Sequence, residues 1–384
     1  MGENGYASVL ADLLPTIRKR REEIERERCL PGDLAGSLRK AGLYGMSVPR
    51  VLGGSEATPM ELMETIETVS AADGSTGWCV MVGLGNNVVA GYMPEHGARE
   101  VFADPTLPTA GIAAPAGQAT RVDGGVNVTG RWSFASGIAH CDWVWAGALV
   151  MDNGKPHMTE MGPEIVHVCI PARDVVVHDT WHVSGLRGTG SQDFSIEDAF
   201  VPDQRIFGLL NPVGHRSEPL YQFPPLHLFV FQVVSVGLGI ARGALDDLTE
   251  LSQKKAPTMY TGALADRPIA QIEVARAEVA LRSARAFVYE VVEEMWDMVL
   301  SGGMPSRKQL ALGRVAATNA VEVSAVVTRT VNTLGGGSAI YDTSPLQRHA
   351  RDAEAITHHF TVAPFTWEEA GRVLLGRDPV IPVF

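Results

Sequence analysis

The hydrophobic pattern of this 384-residue chain changes twice, and the order of the three regions limits the folds it can adopt. Before residue 107 the apolar residues recur at helical spacing, as they do from Leu10 to Ile17. Between residues 108 and 212 short β-rich runs are separated by Gly, Asp and Asn turns, and after residue 213 long apolar helical segments return. We therefore predict an α+β multidomain protein with an N-terminal α-helical domain (1–107), a central antiparallel β-barrel (108–212) and a C-terminal four-helix bundle (213–384).

Individual elements can be predicted within the second and third regions. The β-rich runs predict strands at 126–128, 143–149, 165–170, 175–177 and 194–196. Segments rich in Ala and Val, apolar at i, i+3 and i+4, predict long helices at 241–251, 269–300 and 308–334. Few enzyme architectures place a small barrel between two helical domains, so this order is itself informative.

Composition and charge exclude several classes of partner. A formal net charge of −12 predicts no basic surface for nucleic acid. No positively charged leader precedes an apolar core, and no run of about 18 uninterrupted apolar residues occurs, so we expect a soluble, cytoplasmic protein without a membrane partner. The cysteines show no paired spacing, which favours a reduced intracellular protein. They are Cys29, Cys79, Cys141 and Cys169.

The eight residues 130–137, Gly-Arg-Trp-Ser-Phe-Ala-Ser-Gly, carry the clearest chemical signal. They follow the alternating run 126–128, and in a strand Trp132, Phe134 and Ser136 project from one side. A planar apolar cofactor ring with one polar edge needs such a surface, with aromatic faces beside a short hydroxyl. The alternative is that both aromatic residues are ordinary core residues of a β-domain.

Three motifs, together with the α, β, α order, resemble the acyl-CoA dehydrogenase fold over nearly the whole chain. They are 129–143 (TGRWSFASGIAHCDW), 185–191 (GLRGTGS), and a late glycine turn, 335–337, followed by Arg351-Asp352. In relatives the first two contact the flavin, and the glycine turn helps to hold the flavin of a neighbouring subunit. The resemblance implies flavin-binding roles for Trp132, Phe134, Ser136, Gly137, Arg187, Thr189, Ser191, Gly335 and Gly336.

Two departures favour one branch of this fold. The Glu-Gly-Thr signature that supplies a carboxylate base in many acyl-CoA dehydrogenases is absent after Arg351-Asp352, and residues 111–117 read GIAAPAG where a Thr-Glu-Pro motif accompanies acyl-CoA substrates. The chain resembles instead the two-component flavin-dependent monooxygenases, which include hydroxylases of p-hydroxyphenylacetate, steroid-derived phenols and indole-type rings, and dibenzothiophene monooxygenase.

That resemblance implies a reaction and its partners. The chain would be the oxygenase component of a two-component system, hydroxylating an aromatic or polycyclic small molecule through a flavin C4a-hydroperoxide. Its cofactor would be reduced flavin (FADH2 or FMNH2), with O2 as co-substrate and a separate NAD(P)H:flavin reductase as supplier. No Gly-x-Gly-x-x-Gly opens a βαβ unit, which agrees with an external supplier. The fold implies a homotetramer.

The same branch implies the catalytic residues. Its members carry a histidine about eight residues after the C-terminal Arg, and His359 has that spacing from Arg351. On a helix His358 and His359 would point about 100° apart, and helical spacing places His359 at the border of an apolar face. Ser136 is the predicted partner of the flavin N5 edge. Where several members have a second histidine this chain has Asn86-Asn87, and Asn86 is the predicted replacement.

Candidate substrate-binding residues come from two aromatic segments. Trp78 belongs to the run 73–78, DGSTGW, which also resembles the monooxygenase branch. The segment 223–231 is aromatic and apolar, so Phe223 and His227 could form a substrate wall, or the segment could be a packed interdomain joint.

Other polar residues receive weaker assignments. Arg267 and Gln271 could reach a neighbouring subunit's flavin. His178 and His182 flank a β-run, so helical metal-ligand geometry is not expected and no metal site is predicted.

Two alternatives remain open at this point. An acyl-CoA dehydrogenase or oxidase, desaturating an acyl thioester, would need a carboxylate base, for which Glu290, Glu293 and Glu294 are the options on the long helix. A helical oligomer scaffold that has lost its cofactor would bind no flavin.

Overall fold

The computed structural model describes residues 3–160, 162–209, 216–257 and 260–381, and the predicted boundary between 212 and 213 lies outside them. The N-terminal part is helical, as predicted. Its helices are α1 (Glu3–Glu27), α2 (Gly32–Lys40), α3 (Pro59–Ala72), α4 (Gly74–Asn86) and α5 (Glu95–Val101).

Local capping fixes where α3 and α4 begin. Thr58 and Glu61 form a capping box at the start of α3, with each side chain bonded to the other's backbone N–H. Asp73 accepts from both the backbone N–H and the hydroxyl of Thr76, which starts α4. Every residue of α4 is buried, so this helix runs through the interior of the protein.

The central part is a sheet that contains one parallel pair. Its strands are β1 (Thr109–Val122), β2 (Gly125–Ala135), β3 (Trp143–Asp152), β4 (Lys155–Pro156), β5 (Met158–Thr159), β6 (Gly162–Pro163), β7 (Ile165–Pro171), β8 (Val176–His178), β9 (Gln192–Pro202) and β10 (Ile206–Phe207). The order is β10-β7-β3-β1-β2-β9-β8, with β4 beside β3 and a separate β5-β6 pair.

The five predicted strands are confirmed as parts of β2, β3, β7, β8 and β9. The prediction of a wholly antiparallel sheet is wrong, because β1 and β3 pair in parallel while β2 returns along the other edge of β1. In the part of the chain that the structure describes, β8 and β10 do not pair, so the sheet is not closed and the barrel is not confirmed.

The C-terminal part is again helical. Its helices are α6 (Pro219–Gln222), α7 (Pro225–Lys254), α8 (Pro268–Leu300), α9 (Arg307–Gly335), α10 (Pro345–Thr357) and α11 (Phe365–Leu374). The two helices predicted at 269–300 and 308–334 are confirmed. The helix predicted at 241–251 begins much earlier, at Pro225, so residues 225–231 of the aromatic segment form its first turns.

Helix α7 is the central packing element between the N-terminal and C-terminal helices. It contacts α3 and α4 on one side and α9 and α10 on the other. By length and composition α7 and the segment Arg307–Ile340 could cross a membrane, but their most apolar windows are 89% and 67% buried inside the protein. Burial in the fold therefore accounts for their apolar composition.

Candidate active site

Trp78 on α4 brings together two residues that are far apart in the sequence. Its indole Nε1–H donates to Ser136 Oγ, just after β2, at 3.0 Å. The centroid of its ring lies 5.7 Å from that of His359, just after α10, in an edge-to-face arrangement. Ser136 and His359 therefore belong to one cluster of side chains around Trp78, between the sheet and the helices. We call these residues the Trp78 cluster.

A chain of buried hydroxyl groups leads away from Ser136. Ser136 Oγ lies 2.6 Å from Ser191 Oγ, and Ser191 Oγ lies 2.6 Å from Thr189 Oγ1. Thr189 Oγ1 donates to the carbonyl of Leu186 at 2.8 Å, and a carbonyl can only accept. Each hydroxyl has one proton, so Ser191 must donate to Thr189, and Ser136 must donate to Ser191.

The direction of these hydrogen bonds determines which further hydrogen bonds Ser136 can make. Its single proton is committed to Ser191, and one of its lone pairs accepts from Trp78. One acceptor site is left. Ser136 can therefore receive a hydrogen bond from a further donor, but it cannot donate one.

His359 lies beyond the end of α10, so the prediction of two histidines on one helix is wrong. The helix ends at Thr357, His358 is its exposed C-cap, and His359 caps the short turn that follows. The side chain of His359 is half-buried, and burial lowers its pKa to about 4. Nδ1 lies 2.7 Å from Thr361 Oγ1 and accepts from the Thr361 backbone N–H. The neutral ring then carries its proton on Nε2.

An aromatic lining continues from His359 onto α7. The ring centroids of Phe229 and Phe360 lie 5.7 and 5.0 Å from that of His359. Phe229 was missed from the sequence although it lies inside the aromatic run 223–231. The signal was present: once that run is helical, only some of its members can share a face.

The two members of that run selected from the sequence pack against other helices, and their substrate contact stays a prediction. Phe223 is fully buried against Phe231 and Trp296. His227 is buried between α7 and α9, where its Nε2–H donates to the Leu310 carbonyl at 3.0 Å. Both side chains hold helices together.

The prediction that Trp132, Phe134 and Ser136 share one side of a strand is also wrong. The pairing of β2 with β9 is irregular between Trp132 and Ala135, and Phe134 has a left-handed backbone with φ +70°. Trp132 is fully buried in the sheet core, where its ring stacks on Phe194. The Phe134 side chain turns outward and is 67% exposed.

The remaining predicted flavin residues fall into two groups. Gly137 has φ +71° and donates from its backbone to the Thr189 carbonyl, so it belongs to the cluster with Ser136. Arg187 opens the turn that contains Thr189, and its guanidinium faces Glu25 at 3.7 Å. Gly335 is the buried last residue of α9 and Gly336 is its exposed C-cap, so both belong to the turn after α9 rather than to the cluster.

Asn86 and Asn87 tie the end of α4 to the start of β1. Asn86 is buried, and its Nδ2 donates to the Thr109 carbonyl at 3.2 Å. Asn87 bonds through both ends of its amide to the Tyr44 and Leu107 carbonyls and to Thr109. Asn87 therefore has a structural role, and Asn86 is the last residue of α4.

Several alternative roles find no support in the geometry. Glu290, Glu293 and Glu294 are all exposed on α8, away from the Trp78 cluster. His178 bonds to Ser195, and His182 is exposed beside Asp179. Among residues 3–160, 162–209, 216–257 and 260–381, no three His, Cys, Asp or Glu side chains are grouped to hold a metal ion.

Arg267 and Gln271 occupy the start of α8. The Arg267 guanidinium lies 3.6 Å from the centre of the Tyr260 ring, and Gln271 Nε2 donates to the Ala265 carbonyl. Neither of these interactions involves the Trp78 cluster of the same chain.

The residues of this cluster fit a flavin. An exposed aromatic ring, Phe134, stands edge-on to Trp181 with centroids 6.1 Å apart, and offers an apolar surface two residues before Ser136. Ser136 has its acceptor site, and Thr189 and Ser191 bonded in the same cluster are buried. An apolar plane beside a single polar acceptor matches a flat tricyclic ring whose edge carries N–H.

Two family models match separate parts of the chain, and a known protein matches it over nearly its full length. Residues 13–103 match the acyl-CoA dehydrogenase N-terminal domain and residues 232–364 the acyl-CoA dehydrogenase C-terminal domain. An indole-3-acetate monooxygenase of Pseudomonas putida is 36% identical over 94% of this chain and 92% of its own length.

Solved structures agree with that match. The 3-HSA hydroxylase of Rhodococcus sp. RHA1 superposes with a TM-score of 0.92 at 26% identity and covers 100% of both chains. XiaF from Streptomyces sp., solved in complex with FADH2 and glycerol, superposes with a TM-score of 0.89 at 26% identity and covers 98% of both chains.

Proposed function

Because this chain belongs to the flavin-dependent monooxygenases of the acyl-CoA dehydrogenase family, we propose that it oxidises an indole-type aromatic ring bound beside Trp78 and His359. It is the oxygenase component of a two-component system and depends on a separate reductase for reduced flavin. The indole-type ring is proposed because a relative at 36% identity is an indole-3-acetate monooxygenase and because Trp78, Phe229 and His359 form an aromatic lining.

Ser136 would hold the polar edge of the flavin. The bound reduced flavin activates O2, and that chemistry belongs to the cofactor. Reduced flavin carries a hydrogen on N5, whereas oxidised flavin has an acceptor there. The series of hydrogen bonds that runs from Trp78 through the hydroxyl groups to Leu186 leaves Ser136 able to accept but not to donate. Ser136 therefore favours binding of the reduced form of the flavin. Phe134, Gly137, Thr189 and Ser191 would support this edge.

His359 would act as a neutral hydrogen-bond donor. With its pKa at about 4 the ring is uncharged at neutral pH, and with Nδ1 bonded to Thr361 its Nε2–H is the free donor. A neutral donor stabilises developing negative charge on oxygen without bringing a fixed charge into an apolar pocket. Trp78 and Phe229 beside it would exclude water, which protects a reactive centre from hydrolysis.

We further propose a cytoplasmic homotetramer. Large apolar side chains are exposed on the outer faces of α8, α9 and the turn after α9, which favours burial against other copies of the chain. They include Ile269, Ile272, Val279, Val326, Ile340 and Tyr341. In such an assembly Gly335, Gly336, Arg187 and Arg267 would be available to a flavin tail at a subunit interface. Unbridged Cys29, Cys79, Cys141 and Cys169 agree with a reducing compartment.

The observation that carries the catalytic proposal is the contact of Trp78 with both Ser136 and His359. The test is O2 uptake with a generic flavin reductase, NADH, and either FAD or FMN, against a panel of indoles and phenols. A product about 16 mass units heavier than an indole substrate is expected, from insertion of one oxygen atom. Oxidation confined to phenols would contradict the indole proposal, and bleaching of oxidised flavin by an acyl-CoA without O2 would contradict the monooxygenase assignment.

A further inference from the structure

Gln232 on α7 is a buried amide whose polar atoms are left unpaired. Its side chain is 1% exposed, and among the residues that the structure describes neither Oε1 nor Nε2 has a hydrogen-bond partner. Buried amides in proteins are almost always hydrogen-bonded, because leaving them unpaired is costly. An unpaired amide in the interior is therefore a group that a bound molecule could pair.

The amide of Gln232 is held over a glycine of α4. A Cβ atom at Gly85 would lie 2.2 Å from Gln232 Oε1, so any larger residue there would displace the amide. The three nearest atoms to that added Cβ all belong to Gln232. The absence of a side chain at position 85 thus leaves the space that the amide occupies.

Gln232 and Trp78 lie on the same pair of packed helices, with Gln232 opposite Gly85, two turns after Trp78 on α4. Gly74 of α4 packs against Ile240, and Gly85 packs against Gln232, so the two helices run antiparallel. Trp78 lies between Gly74 and Gly85, and is therefore level with α7 residues between Gln232 and Ile240.

On α7 itself, Phe229 lies one turn before Gln232 and shares its face. His359 contacts both Trp78 and Phe229, so the Trp78 cluster reaches α7 one turn before Gln232.

We propose that Gln232 Oε1 receives the ring N–H of an indole-type substrate and so sets a preference for the nitrogen heterocycle over a carbocycle of the same shape. This inference rests on the proposed function. The aromatic lining formed by Trp78, Phe229 and His359 fits any flat ring, and it cannot distinguish N–H from CH2. The Gln232 amide carries an unpaired acceptor that can make that distinction, since an acceptor left unpaired penalises the ligand without the donor.

The test measures binding of indole and of indene, in which CH2 replaces the ring N–H. Titration calorimetry is carried out anaerobically on the wild-type protein saturated with reduced FAD. The wild type is expected to bind indole about tenfold more tightly than indene, as one neutral hydrogen bond provides. In Gln232→Met, which keeps the length of the side chain, the ratio is expected to fall to about one.

Two further variants separate the role of the amide from general damage. Gly85→Ala leaves Gln232 in place but displaces its amide, and the indole-to-indene ratio should fall as in Gln232→Met. Ser235→Ala removes a buried hydroxyl from the same helix, where it bonds to the Phe231 carbonyl, and should keep the wild-type ratio.

The outcomes separate this inference from the proposed function. If the wild type binds and oxidises indole and Gln232→Met keeps the wild-type ratio, the inference is overturned and the proposed function stands. If the wild type neither binds nor oxidises any indole, both are overturned. If Gln232→Met does not fold, the indole-to-indene ratio in Gly85→Ala is used instead, and a ratio equal to that of the wild type overturns the inference.

Discussion

The direction of the hydroxyl chain predicts how substitution of Ser191 changes the preference for reduced flavin. In the wild type Ser136 donates its proton to Ser191, which in turn donates to Thr189. Ser191→Ala removes the acceptor of the Ser136 proton. Ser136 Oγ then becomes free to donate as well as to accept, and it can bond to the unprotonated N5 of oxidised flavin.

The magnitude follows from one hydrogen bond. A neutral hydrogen bond contributes about 1 kcal/mol, and about 1.4 kcal/mol corresponds to a factor of ten in affinity. In Ser191→Ala we expect oxidised flavin to bind about fivefold to tenfold more tightly, while reduced flavin binds as before. In Ser136→Ala we expect the opposite pattern, with reduced flavin weakened by a similar factor and more O2 consumed as free H2O2.

The assay is a pair of flavin titrations followed by fluorescence quenching, one aerobic with oxidised flavin and one anaerobic with reduced flavin. Thr189→Ser is the matched control, because it keeps every donor and acceptor of the chain. Ser136→Ala also leaves the buried Trp78 Nε1–H unpaired, so chemical unfolding should show a loss of about 1–3 kcal/mol. An unchanged affinity of Ser191→Ala for oxidised flavin would refute the donation of the Ser136 proton to Ser191.

Two further predictions concern other parts of the molecule. His167, His227 and His359 have pKa values lowered by burial to about 4, so the free energy of unfolding should fall as the pH is lowered from about 6.5, where unfolded histidine takes up a proton, toward 4. Between about pH 6.5 and 5 the wild type should lose about 2 kcal/mol more than His227→Gln in chemical unfolding, and equal slopes would contradict the burial of a neutral His227. The triple change Glu290→Gln, Glu293→Gln, Glu294→Gln should leave turnover within about twofold of the wild type, since all three are exposed on α8, and a large loss would revive the carboxylate-base alternative.

The sequence was most informative where function depends on short local motifs. Ser136 and the 185–191 stretch could be grouped because they occur in recognisable motifs, and both belong to one cluster in the structure. His359 was found by its spacing from Arg351. The surroundings of His359 could not be predicted, because the helix stops at Thr357 and the ring is oriented by Thr361 rather than by helical periodicity.

The wrong prediction for the aromatic strand has its physical origin in an irregular backbone. The alternation through 130–137 predicted one face for Trp132 and Phe134, but a bulge and a positive φ at Phe134 turn the two rings to opposite environments. Local hydrophobicity also cannot say which face of an all-apolar helix meets a pocket. For that reason Phe223 and His227 were chosen from a segment in which Phe229 contacts His359.

Gln232 could not have been found from the sequence. A glutamine in an apolar helix is compatible with many roles, and its significance depends on Gly85 of another helix and on the lack of a partner among the described residues. The same is true of the parallel pairing of β1 with β3, which requires a crossover that short strand patterns do not encode.

A crystal structure of the protein with reduced FAD and indole, prepared without O2, would test the proposed site as a whole. The flavin N5 edge should lie at hydrogen-bond distance, about 3 Å, from Ser136 Oγ, with indole between Trp78 and Phe229 and within reach of His359 Nε2. A flavin ring bound away from Ser136, or an indole that contacts neither Trp78 nor His359, would contradict the proposed site.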